Sequence, residues 1–150
     1  MHITDSIEGF FQLMGGDFTN AGSASGELKS TLTKLGVSQD VIRRAAIAAF
    51  EAEMNVIIHA VAGTMHYSIG SEELKITLTD MGPGIEDIEL AMREGYSTAP
   101  DWVREMGWGA GMGLPNIKRN SDNLKIDSVV GEGTTLEIII SIRIIAIRKD

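Results

Sequence analysis

Two stretches of the chain alternate apolar and polar residues with a period of two. Leu74, Ile76 and Leu78 alternate with Lys75, Thr77 and Thr79, while Leu136, Ile138, Ile140, Ile142 and Ile144 line one face of a longer run. Successive strand side chains point to opposite faces, so both segments read as strands with one buried side. The second is taken from Thr134 to Ile147, about 14 residues against a mean strand of 5–6. Such a strand overhangs its sheet, and an exposed apolar edge favours pairing with another chain, so a homodimer is expected. Shorter strands are predicted over residues 3–13, 67–69 and 124–130, with turns at Gly70-Ser71 and Gly131-Glu132-Gly133.

Between these strands the periodicity is helical. From Val41 to about Ala62 no Gly or Pro occurs, and Ala45-Ala-Ile-Ala-Ala-Phe50 favours helix, so this is the most secure element. Ser38 is placed to cap it, with Asp40 in the first turn complementing the helix dipole. A helix over about residues 20–34 ends at Gly36, a short one covers 86–94, and another starts near Pro115 and runs to about Asn120. Strands grouped at the ends with helices between predict a two-layer α/β (α+β) sandwich. Its one sheet is mixed but mostly antiparallel, with helices on one face, in a single domain spanning residues 1–150.

Composition narrows the function. The 150 residues suffice for a core without metal or disulfide staples, and the absence of cysteine excludes disulfides, thiolate zinc sites and cysteine nucleophiles. A net charge of −8 argues against general affinity for nucleic acid or anionic membrane. No run approaches a membrane-spanning length, and Met-His-Ile-Thr-Asp at the start lacks the features of a signal peptide, so the expected location is the cytoplasm. Glycine is the anomaly: nine of the 17 fall between Gly82 and Gly133, and the chemistry is sought there.

Glu51, Asn55 and His59, spaced by four in an apolar helix, share one face, whereas Glu53 points elsewhere. A carboxylate and a carboxamide one turn apart suit Mg²⁺, or the carboxylate can take a proton from a nucleophile; a solvated helix face is the plain alternative. Asp80 closes a half-buried strand before Met-Gly82-Pro-Gly84-Ile85, where it can accept a hydrogen bond from the exocyclic amine of a purine. Gly107-Trp-Gly109-Ala-Gly111-Met112-Gly113-Leu114 can aim backbone amides at phosphate oxygens. It fits neither the dinucleotide-binding fingerprint nor the P-loop.

Glu51-x-x-x-Asn55, Asp80-x-Gly82-Pro-Gly84, Gly109-x-Gly111-x-Gly113-Leu114 and Gly133-Thr134-Thr135 follow in that order. In this combination they strongly resemble the GHKL family of ATP-binding domains, the group of gyrase, histidine kinases and MutL. Gly84–Thr98 and Val130–Leu136 look like the small bacterial serine/threonine kinases that act as anti-sigma factors and partner-switching regulators. The resemblance implies ATP or ADP with Mg²⁺. It implies Glu51 as general base, Asn55 as Mg²⁺ ligand, Asp80 as adenine reader, and Gly82, Gly84 and Ile85 as the turn beside the base. Gly109, Gly111, Met112, Gly113 and Leu114 become the phosphate loop, and Thr135, or equally Thr134, assists adenine binding. Ile58 stands where many histidine kinases have a basic residue, so Arg104, Lys118 or Arg119 becomes the candidate for the γ-phosphate. Trp102 and Trp108 fall in an extended lid segment. The implied function is phosphorylation of a small protein, an anti-anti-sigma-like substrate, with a sigma factor as a further partner. The alternative is a nucleotide-gated anti-sigma factor or adaptor without phosphotransfer. A complete histidine kinase is disfavoured because His2 is the only histidine before the central helix, and 150 residues leave no room for the further domains of gyrase or MutL.

Overall fold

A computed structural model of the chain describes residues 6–93 and 113–143. Strand β1 (Ile7–Met14) is followed by a 3-10 turn (Phe18–Asn20) and two helices, α1 (Ser23–Lys34) and α2 (Gln39–His59). Then come β2 (Ala62–Ile69), β3 (Glu73–Met81), a single helical turn α3 (Ile88–Ala91), α4 (Gly113–Arg119), β4 (Asn123–Val129) and β5 (Gly133–Ser141). The strands form one sheet in the order β1-β2-β3-β5-β4. All four pairings are antiparallel, so the mixed sheet expected resolves to its antiparallel part and the α+β class is borne out.

The alternation in β3 and β5 puts Leu74, Ile76, Leu78, Leu136, Ile138 and Ile140 on one buried face. Against it packs the alanine stripe of α2, where Ala45, Ala48, Ala49 and Ala52 are all fully buried, with Leu28 and Leu32 of α1 and Ile117 of α4 completing the core. Side chains this small let a helix lie close to the sheet. Ser38 caps α2 as expected, its Oγ accepting from the Val41 amide at 3.4 Å.

Several boundaries differ from expectation. Helix α2 stops at His59 because the next residues join the sheet: Val61 donates to the Met81 carbonyl at 2.8 Å and accepts from Gly15 at 2.9 Å. Strand β2 consequently starts five residues before Tyr67, and Gly63 lets it pass beneath the helix, since a Cβ there would lie 2.9 Å from Val56 Cγ1. Strand β3 runs one residue past Asp80, to Met81, before the turn begins. The last strand ends at Ser141, not Ile147. Ser141 donates to Asp122 Oδ2 at 2.7 Å and Ile142 to the Glu72 carbonyl at 3.0 Å, and residues 144–147 lie outside the described residues. Among the described residues no helix is long and apolar enough to cross a membrane.

The start of α1 depends on a residue that the sequence left unassigned. Glu53, 1% exposed, accepts from the backbone amides of Gly22 (3.1 Å), Ala24 (3.4 Å) and Ser25 (3.0 Å). A carboxylate from α2 thus satisfies the orphan donors at the N-terminus of α1 and complements its dipole.

Candidate functional site

On α2, Glu51, Asn55 and His59 form a half-buried face, not a solvated one. Glu51 Oε2 accepts from Asn116 Nδ2 at 2.7 Å, and the same carboxamide accepts from Arg119 Nη1 at 2.7 Å through its oxygen. Asn116, in the second turn of α4, therefore bridges a carboxylate and a guanidinium, a role that nothing in its sequence context announced. An ideal Cβ on Gly113 would lie 3.1 Å from Asn55 Oδ1, so this glycine leaves open the space in front of the carboxamide. Burial pushes the His59 imidazole below its ordinary pKa and favours the neutral ring.

Asp80 sits beside the C-terminal end of α2, on the helix-facing side of the sheet. Its Oδ1 accepts from the Thr134 amide at 3.1 Å, leaving Oδ2 available. Burial raises its carboxyl pKa, and the Thr134 bond opposes that shift. Glycines surround it for steric reasons. A Cβ on Gly133 would lie 2.0 Å from the Asp80 carbonyl oxygen, and one on Gly82 would be 3.1 Å from Asp80 Oδ1 and 3.2 Å from Ala60 Cα. Gly84 adopts φ +75°, where a Cβ would meet the Val129 carbonyl at 2.5 Å. The Ile85 amide donates to Ser128 Oγ at 2.7 Å, and Ser128 Oγ lies 2.9 Å from Thr134 Oγ1, so the turn is tied to the β4–β5 hairpin.

The two threonines separate by strand alternation. Thr134 shares the helix-facing side with Asp80, whereas Thr135 lies on the open face between Thr79 and Asp127. Along α2, a rise of 1.5 Å per residue sets Asn55 about 7.5 Å and Glu51 about 13.5 Å from Ala60, which abuts Gly82. The arrangement has the Asp80 carboxylate beside the end of α2 and a carboxamide and a carboxylate further up the helix. Leu114 packs on the core, and Lys118 and Arg119 are exposed. Gly109, Gly111, Met112, Arg104, Trp102 and Trp108 lie outside the described residues. Among the described residues no group of three His, Cys, Asp or Glu side chains could hold a metal. A metal at this site would depend on the Asn55 amide oxygen together with ligand phosphates and water, which suits Mg²⁺.

The fold is that of an open antiparallel sheet under helices, with clustered glycines, and comparison with known proteins gives the family as an ATPase domain. The profile of the histidine kinase-like ATPase domain matches residues 17–140, and the chain belongs to that family. The serine/threonine-protein kinase RsbT of Bacillus subtilis is 36% identical over 100 residues, covering 64% of this chain and 69% of RsbT. An anti-sigma F factor of Clostridium acetobutylicum is 34% identical over 112 residues, covering 71% and 75%. The class read from the sequence, serine/threonine kinases of the anti-sigma, partner-switching group, is the class of these relatives. A solved structure of the RsbU and RsbW domains of a Mycobacterium tuberculosis protein superposes with a TM-score of 0.56 at 16% identity. That match covers 95% of this chain but 34% of the other, and it shows the shared fold.

Proposed function

We propose that this chain, as a single domain, transfers the γ-phosphoryl group of ATP to a serine or threonine of a small protein partner. The observation carrying the reading is the half-buried Asp80 carboxylate, one oxygen held by the Thr134 amide and the other available, with Gly82 and Gly133 packed against it, where a Cβ on Gly133 would run into the Asp80 carbonyl oxygen. Asp80 Oδ2 accepts the adenine amine, and the Gly82–Ile85 turn flanks the base. The phosphates extend along α2 toward Gly113 and Leu114. Mg²⁺, held by the Asn55 amide oxygen, would neutralise phosphate charge. Glu51 takes the acceptor hydroxyl proton as the new oxygen–phosphorus bond forms and the bond to the β-phosphate breaks, releasing ADP. Asn116 holds one Glu51 oxygen, which leaves the other for that proton.

Glu51 also separates transfer from nucleotide-gated binding. A pure binding switch needs Asn55 and the glycines but not a carboxylate fixed in place by a neighbouring amide. The acceptor by this reading is an anti-anti-sigma-like protein, with a sigma factor as second partner and the cytoplasm as the place of action. The far end of the strand from which a homodimer is expected, residues 144–147, lies outside the described residues. Exposed Met14, Met81 and Val129 lie on one face along the sheet end nearest Asp80. The test is incubation with γ-labelled ATP, Mg²⁺ and an anti-anti-sigma-like protein. A labelled partner with wild type and none with Glu51→Gln supports transfer. Nucleotide-dependent capture without label supports the binding switch.

A further inference from the structure

One polar side chain beside the proposed base site has no part in that reading so far. Ser128 Oγ accepts from the Ile85 amide (2.7 Å), lies 2.9 Å from Thr134 Oγ1 and lies 3.3 Å from the Gly133 carbonyl oxygen. It has a single proton for the last two. We propose that Ser128 is a positioning residue for base selection, which by donating to Thr134 Oγ1 leaves the Thr134 hydroxyl proton free for an acceptor on the base. The inference rests on the adenine reading of Asp80.

The distances choose between two proton arrangements. A hydroxyl–oxygen separation of 2.9 Å lies within the usual range of about 2.5–3.0 Å, and 3.3 Å lies outside it. With the Ser128 proton on Thr134, the site offers an acceptor at Asp80 Oδ2 and a donor at Thr134 Oγ1. That pair complements adenine, whose edge carries an amine donor beside the N1 acceptor. It opposes hypoxanthine and guanine, which carry a carbonyl oxygen beside N1–H. Were the proton on Gly133 instead, Thr134 would donate to Ser128 and present only lone pairs, and the base-facing pattern would lose its donor. Because Ser128 also accepts from Ile85, the same oxygen fixes the turn that flanks the base.

The experiment measures ADP, IDP and GDP binding to the full chain by calorimetry, for wild type, Ser128→Ala, Ser128→Thr and Asp80→Asn. Ser128→Ala is expected to shrink the ratio of ADP to IDP affinity by about fivefold to tenfold, the worth of one hydrogen bond. Ser128→Thr, which keeps the hydroxyl, is expected to restore that ratio. Should Ser128→Ala not fold, Ser128→Cys provides the same comparison with a weaker donor. If the alanine variant weakens all three diphosphates by one common factor, Ser128 is only structural and the inference is overturned. If Asp80→Asn leaves ADP binding untouched, or wild type does not prefer ADP to IDP, the adenine reading itself fails. If Asp80→Asn fails to bind ADP while Ser128→Ala keeps the full preference, only the Ser128 inference fails.

Discussion

Replacing Asp80 by Asn should move nucleotide affinity and stability in opposite directions. The Thr134 amide donates to Asp80 Oδ1 at 3.1 Å, and an asparagine oxygen can keep that bond. The terminal atom left over is then an NH₂ group, which meets the adenine amine donor to donor. Losing a hydrogen bond to a charged acceptor costs about 1.5–3 kcal/mol, so ADP affinity should fall roughly 10- to 150-fold. Stability should change with the other sign. Burial raises the Asp80 carboxyl pKa in the folded chain, so its contribution to stability is present below the unfolded pKa and is lost as pH rises through the folded one. At neutral pH the buried carboxylate is therefore a cost that asparagine does not carry. The unliganded variant should melt higher than wild type at pH 7, and the difference should vanish on acidification. Calorimetric titration with ADP and thermal melts between pH 4 and 8 measure both quantities. Unchanged ADP affinity, or a variant that melts lower at pH 7 and equally at pH 4, would refute the reasoning.

Three further outcomes are expected. Glu51→Gln should keep ADP affinity while phosphotransfer falls by about 10²–10⁴-fold, the loss of a general base, as read by label transfer to the partner. Gly84→Ala combines φ +75° with a Cβ 2.5 Å from the Val129 carbonyl, whereas Gly131→Ala, at φ +84°, meets nothing within 4 Å. Urea unfolding should show a loss of about 1 kcal/mol at Gly131, a visibly larger one at Gly84, and weakened ADP binding only for the latter. Glu53→Ala strips three amides at the start of α1 of their acceptor, and denaturation should report a loss of about 2–4 kcal/mol.

The elements that local pattern controls were legible in the sequence. Alternation in β3 and β5 selects the buried face because a strand has a period of two, and the alanine run of α2 has few ways to bury itself except as a helix against a sheet. The spacing of Glu51 and Asn55, the place of Asp80 and the order of the glycine boxes are likewise one-dimensional facts, and they sufficed to indicate the family. Tertiary structure alone decided where α2 stops, because the hydrogen bonds that draw residues 60–62 into the sheet come from Gly15 and Met81, distant in the chain. It decided which of Thr134 and Thr135 shares the face of Asp80, since a shift of one residue in strand register exchanges the two faces. It also decided the distant hydrogen bonds of Glu53, to amides 28 to 31 residues away, and of Asn116, to Glu51, 65 residues away. A polar side chain is assigned by what it bonds, and the partners of Glu53 and Asn116 meet only when α1 and α4 pack against α2.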